Sequence, residues 1–279
     1  MWSFVVDKFV TEEAAFLNIS DLALQRGYGI FDFFKVKGQH AFFIEDHLDR
    51  FFNSARIMKL AMPHSRNELR SIIATLTEKN ALGQSGIKMI LTGGYSEDGY
   101  TPARPNLLLT QHSLTLTSTD QIAEGVSIIT YPYSREFPEA KTINYSMGIW
   151  ILDHLKIAGA ADVLYFQGET VSEFPRCNIF IVTHDDVILT PGDRILNGIT
   201  RKNIIKLGAA NQYVIREANV TRNEVYEAKE VFLTSTTKRI VPVKSVDGRI
   251  IGAGMAGTIT QRLFKDLLFL EEQDLQKVK

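Results

Sequence analysis

The stretch DHLDRFFNSARIMKL carries apolar residues at Leu48, Phe51, Phe52, Ala55 and Met58, the spacing of one helix face. A second helix opens at Ser65, with Glu68 three residues on as a capping box and Leu69, Ile72, Ile73 and Leu76 as its apolar stripe. Around these helices the pattern changes to strands. FVVDKFV reads as a first strand, and FDFFKVKGQHAFFI as a hairpin turning at Gly38-Gln39. GIKMILTGG and NLLLT are further strands, joined by GGYSEDGYTPARP, a loop long enough to be functional. The second half repeats the alternation: VSIITYPY as a strand, NYSMGIWILDHLKIAG as a helix ending at Gly159, and DVLYFQGETVSE as a hairpin. NIFIVTHDDVILT is another hairpin, turning at Asp185-Asp186. A helix starts near Thr200, and TITQRLFKDLLFLEEQ forms a last amphipathic helix.

Helices and hairpins mixed throughout point to an α+β or mixed α/β chain in two domains, not to one doubly wound sheet. The polar, Ser/Thr-rich segment at 113–125 is the expected junction. It divides an N-terminal α/β domain at 1–115 from a C-terminal domain at 116–279.

Composition narrows the function classes. Of 279 residues, 45% are hydrophobic and 23% charged, enough for a full core. A net charge of −1 offers no basic excess for nucleic acid. The N-terminus lacks the basic region of a signal peptide, and no apolar run approaches the length of a membrane span. The single cysteine, Cys177, fits a reducing compartment, so a cytoplasmic setting is expected. The six histidines form no i, i+4 pair, and no protein-held metal is expected. GAGMAG at 252–257 matches a dinucleotide fingerprint, but no second strand follows the next helix, so it reads as a glycine-eased turn.

Five features each carry an ordinary and a chemical reading. Lys141, in EAKTINYSMG, is a surface charge or a reactive amine. Glu173, in VSEFPRCNIFIV, is a strand-end carboxylate or a charge partner. Gly198 and Thr200 are a plain helix cap or an anion site made of free amides and a hydroxyl. The hydroxyl run from Thr234 to Thr237 is a polar turn or a second set of donors for the same anion. Arg50 is a solvated helix residue or an anion contact.

The order of these features resembles the class IV aminotransferases, the pyridoxal-phosphate enzymes of fold type IV. The matching pieces are RGYGIFDFFKVKG, HLDRFFNSARIMKL, KTINY, GAADVLYF, VSEFPRCNIF, GITRKNIIKL and TSTTKRIVPVKSVDGRIIG with GMAGTIT. The resemblance implies a two-domain fold type IV enzyme, similar to the D-amino-acid aminotransferases in fold, with its active site between the domains of a homodimer. It implies that Lys141 holds pyridoxal 5'-phosphate as a Schiff base and then serves as general acid and base. Glu173 would pair with the pyridine nitrogen, and Tyr145 with the phenolic oxygen. Arg50, Ile199, Thr200 and Thr236 would hold the phosphate, and Phe31, Lys88 and Thr237 would face the substrate.

The chain also departs from the family. The frequent G-D-G-V-[FY]-E becomes Gly27-Tyr28-Gly29-Ile30-Phe31-Asp32, and Phe174-Pro175-Arg176 replace the usual small residues after Glu173. Phe31 and Gly93 lack the hydroxyl and the charge of the D-specific branch. Tyr145 after Asn144 leans toward transamination. With Tyr28, Phe31 and Phe33 as an apolar pocket, the leading expectation is transfer of an amino group between an apolar, branched-chain-like amino acid and a 2-oxo acid. The enzyme alternative is 4-amino-4-deoxychorismate lysis. The non-enzyme alternative is a binding protein that kept the fold.

Overall fold

The computed structural model describes residues 1–116, 124–211 and 213–277. Its contacts define two units. Met1–Thr115, Ala140–Asn144 and, at the C-terminal end, Lys277 form the first; Leu116–Glu139 and Tyr145–Gln276 form the second. Residues 117–123 of the expected junction lie outside the described residues. Lys141, expected with 116–279, groups with the first unit, because its segment adds itself to a strand there.

The first unit is a six-stranded sheet of β1 (Trp2–Val5), β2 (Lys8–Thr11), β3 (Gly29–Lys37), β4 (His40–Ala41), β5 (Gln84–Thr92) and β6 (Leu107–Ser113), in the order β2-β1-β6-β5-β3-β4. Every pairing is antiparallel. FVVDKFV forms a hairpin, not the single strand its pattern suggests. Val6 and Asp7 both take positive φ (44° and 68°), the geometry of a tight primed turn. The helices are α1 (Leu22–Arg26), α2 (Ile44–Ile57) and α3 (Arg66–Asn80). The capping box of Ser65 and Glu68 is present. Leu48, Phe51 and Ala55 of α2 and Leu69, Ile73 and Leu76 of α3 join Ile30, Phe34, Ile87 and Met89 of the sheet in one core.

The second unit holds a nine-stranded mixed sheet. Its elements are β7 (Val126–Pro132), α4 (Ser146–Trp150), α5 (Leu152–Ala158), β8 (Asp162–Gln167), β9 (Thr170–Val171), β10 (Asn178–Val182) and β11 (Ile188–Pro191), then α6 (Ile199–Ala210), β12 (Ile215–Ala218), α7 (Arg222–Tyr226), β13 (Glu230–Ser235), β14 (Arg239–Val246), β15 (Arg249–Ile250) and α8 (Thr258–Gln276). Strand order is β12-β11-β10-β13-β14-β7-β8-β9, with β15 on β14. Three pairings, β11 with β12, β14 with β7 and β7 with β8, are parallel. The single helix expected over 144–159 is broken at Ile151 into α4 and α5, and Gly159 closes α5 with a φ of 60°. On one face of the sheet Ile204 of α6 and Leu263, Phe264 and Leu267 of α8 pack on Phe180 and Phe232, whose rings stack 5.1 Å apart. Ile179, Ile181, Val231 and Leu233 point into the other core. The antiparallel sheet, the mixed sheet and their helices make the chain an α+β protein. Among the described residues no helix is long and apolar enough to cross a membrane.

Candidate active site

In the first unit, strand alternation sorts β3 onto two faces. Ile30, Asp32 and Phe34 point toward α2 and are fully buried. Phe31 and Phe33 point the other way and are half-buried. Lys88 of β5 stands directly opposite Phe33 and shares that face.

Lys141 is fixed onto this face by its own backbone. Ile30 and Thr142 form an antiparallel bridge. The amide of Phe31 donates to the Lys141 carbonyl at 2.8 Å, and that of Ile143 donates to Gly29 O at 3.1 Å. The amide of Lys141 donates to Ser54 Oγ of α2 at 3.1 Å. Gly29 is needed for this docking, since a Cβ there would lie 2.9 Å from Leu91 O and 3.0 Å from Ile143 Cδ1. The half-buried Lys141 extends its Nζ to 4.4 Å from the Phe31 ring centroid, while Lys88 Nζ lies 5.8 Å from the same centroid. The structure therefore brings Phe31, Lys88 and Lys141 together. Lys88 is exposed and has no ion-pair partner among the described residues.

Arg50 is on the other face of β3 and is not a solvated helix residue. It is 9% exposed and forks onto Asp32, Nε to Oδ2 and Nη2 to Oδ1, each at 2.8 Å. His47 Nδ1 donates to Asp32 Oδ1 at 2.7 Å. Burial opposes the charge on Asp32, but Arg50 and then His47 outweigh it and hold the carboxyl far below the usual range. Burial pulls His47 below its ordinary value, against the opposing pull of Asp32. Asp32, the shortened residue of the first motif, is thus the counter-ion that orients Arg50. Tyr28, expected in the apolar pocket, instead packs on the core and donates its hydroxyl to Met58 O.

In the second unit, Glu173 is 4% exposed and bridges to Asn178 at the start of β10. Its Oε1 accepts Arg135 Nε at 2.8 Å and Nη2 at 2.7 Å, and its Oε2 accepts the Leu196 amide at 2.9 Å. Phe174 N donates to Cys177 O at 2.9 Å, so Pro175 and Arg176 form the tip of a tight turn. The proline's missing donor costs nothing there.

Asn178 connects this carboxylate to the start of α6. Its Nδ2 donates to Leu196 O at 2.8 Å, and its Oδ1 occupies the space that a Cβ of Gly198 would need. Gly198 is the N-cap of α6 and provides no side-chain oxygen. The first turn closes with Lys202 N on Gly198 O at 2.9 Å, which leaves the amides of Ile199 and Thr200 ahead of the first helical bond. Opposite Asn178 in the strand register is Thr234, whose Oγ1 is buried with no hydrogen-bond partner among the described residues. Thr236 and Thr237 follow in the half-buried turn between β13 and β14. An uncapped helix start, a glycine whose Cβ space is filled by the held Asn178 Oδ1 and an orphaned hydroxyl fit a phosphate. Tyr145 is the half-buried N-cap residue of α4.

Sequence reasoning missed Asp32 as a counter-ion, Ser54, Asn178 and Arg135. One signal was available: His47, Arg50 and Ser54 recur at i, i+3 and i+7, a polar stripe beside the apolar one on α2. Arg135 and Asn178 act through long-range contacts that no local pattern encodes.

The amino-transferase class IV family model matches residues 29–246. A putative branched-chain-amino-acid aminotransferase of Methanocaldococcus jannaschii is 30% identical over 93% of this chain and 94% of its own length. A D-alanine aminotransferase of Listeria monocytogenes is 29% identical over 96% of this chain and 94% of its own. Among solved structures, a branched-chain amino acid aminotransferase of Escherichia coli superimposes with a TM-score of 0.86 at 25% identity, over 96% of this chain and 92% of that one.

Proposed function

The chain belongs to the class IV amino-transferases, and from that premise we propose the division of labour among its residues. The enzyme uses pyridoxal 5'-phosphate and moves an amino group between an amino acid and a 2-oxo acid. When bound, that cofactor supplies an electron-withdrawing ring that makes the α-proton of an amino acid acidic.

Lys141 anchors the cofactor covalently and, once released, moves the proton at the substrate α-carbon. The backbone clamp on Lys141 is the observation that supports this reading: its amide and carbonyl are both held, so the main chain sets where the amine is presented. Glu173 accepts the hydrogen bond of the ring nitrogen, and Tyr145 donates one to the phenolic oxygen. Arg50, the amides of Ile199 and Thr200 and the hydroxyl of Thr236 hold the phosphate. Lys88 takes the substrate carboxylate, Thr237 adds a hydroxyl, and Phe31 with Phe33 offers an apolar surface to the substrate side chain. That surface supports an apolar, branched-chain-like amino acid. The enzyme works as a cytoplasmic homodimer, with no nucleic-acid or membrane partner.

The test is the visible absorption spectrum of the protein with pyridoxal phosphate, titrated with single L- and D-amino acids. An apolar amino acid should convert the band to that of the pyridoxamine form, and a 2-oxo acid should restore it. Lys141→Ala should fold and give neither change. Retained turnover in that variant refutes the role of Lys141. Pyruvate release from aminodeoxychorismate without amino exchange refutes transamination.

A further inference from the structure

Arg135 lies in the loop between β7 and α4, six residues before Lys141. Its side chain is only 14% exposed, and that of Glu173 only 6%. The guanidinium reaches Glu173 with two N–H groups and ties its own loop by donating from Nη2 to Pro138 O. Both donors to Glu173 go to the same oxygen, Oε1, while the Leu196 amide takes Oε2.

Two charged donors on Oε1 and the Leu196 amide on Oε2 together fix the carboxylate in place and in orientation. The guanidinium also balances the charge of a group removed from water, which an isolated buried carboxylate cannot do for itself. The other cations of this segment cannot do the same. Arg176 is exposed at the tip of the turn, and Lys238 pairs with Asp162 at 3.1 Å.

We propose that Arg135 is a positioning residue for the cofactor: it holds Glu173 ionised and turned so that Oε2 is presented to the ring nitrogen. This rests on the assignment of Glu173 to that nitrogen made above. With Oε1 committed to Arg135, Oε2 is the oxygen turned to the ring nitrogen, and a carboxylate there favours the protonated ring that electron withdrawal needs. Arg135 acts on the cofactor through Glu173.

The experiment compares four holoenzymes: wild type, Arg135→Gln, Glu173→Gln and the double variant. Each is measured for pyridoxal phosphate dissociation constant, thermal midpoint and the pH dependence of the visible band. Arg135→Gln should weaken cofactor retention roughly 10- to 100-fold, the usual cost of removing a group that orients a ligand. It should also make the band sensitive to acid. The double variant should retain cofactor no worse than Glu173→Gln alone, and Arg135→Lys should recover part of the loss. Losses that simply add overturn the proposal, because Arg135 then acts independently of Glu173. A Glu173→Gln enzyme with unchanged retention and spectrum overturns the assignment of Glu173 itself, and the proposal with it. If Arg135→Gln does not fold, Arg135→Lys replaces it in the cycle. Full coupling to Glu173 again supports the proposal, and additivity again overturns it.

Discussion

Lys141 and Phe31 are joined twice, once through the main chain and once through the side chains. The Phe31 amide holds the Lys141 carbonyl at 2.8 Å, and Lys141 Nζ stands 4.4 Å from the Phe31 ring centroid. The same strand residue thus sets where the lysine backbone lies and which surface its amine crosses.

The clamp has a second arm, and its removal should separate anchoring from folding. Ser54→Ala deletes the acceptor of the Lys141 amide, a loss of about 1 kcal/mol for one partly buried hydrogen bond. The thermal midpoint should fall by only a few degrees, about 2–4 °C for a chain of this size. The catalytic rate should fall more, about tenfold, because a small displacement of the amine costs alignment. Equal stability with an unchanged rate would show that the Phe31 arm suffices.

Lys88 should act on binding more than on turnover. It stands on the open face of β3 and β5 beside Phe31, without an ion-pair partner among the described residues. Lys88→Ala should raise KM for the amino acid about 10- to 100-fold, the equivalent of one charged hydrogen bond. Changes in kcat should be much smaller, and Lys88→Arg should recover most of the affinity. An unaltered KM would assign Lys88 to the solvated surface.

The elements were more legible in the sequence than the connections between them. The capping box at Ser65, the turn at Gly38 and the helix end at Gly159 depend on residues within a few positions of each other, and local physics was enough. The hairpin at Val6-Asp7 was missed because a β-branched residue rarely takes positive φ. The break at Ile151 leaves no proline or glycine at the site to announce it. In the candidate site, Lys141 and Glu173 were named from the order of motifs. Asp32, Ser54 and Arg135 were not, because the contacts that make them matter span from 15 to 87 residues of chain. Arg50 shows the difference: its position on α2 was read correctly, but its burial depends on a carboxylate in another element.

Gly198 should tolerate no side chain. Its φ of −64° is open to any residue, so the constraint is spatial rather than conformational. A Cβ would fall well inside van der Waals contact with Asn178 Oδ1, a buried atom whose side chain is held by Leu196 O. Gly198→Ala should cost about 1–3 kcal/mol as overpacking and should weaken pyridoxal phosphate retention further by displacing the start of α6. Combining it with Asn178→Ser frees the space, so the double variant should regain stability relative to Gly198→Ala. A Gly198→Ala protein with wild-type midpoint and retention would exclude a tight helix entry.

Acid should loosen the first unit in two stages, because Asp32 and His47 both titrate lower in the folded chain than in the unfolded one. An unfolded histidine takes up a proton near pH 6.5, while His47, buried beside Arg50, resists it. Below about pH 6.5 the unfolded state therefore binds more protons, and stability falls as pH falls. Asp32 adds a second loss that begins near the ordinary aspartate value of about 4 and continues downward, because Arg50 keeps its folded carboxyl ionised well below that. Both contributions are complete at pH 7, so the thermal midpoint should be level between about pH 7 and 8 and should decline in two steps on acidification. His47→Gln retains a donor but cannot titrate, so it should remove the upper step and leave the lower one. Other carboxylates contribute to the lower step, which makes the upper step the decisive reading. If the wild-type midpoint is unchanged from about pH 7 to about pH 5, or declines identically in His47→Gln, the histidine is not held neutral by its burial.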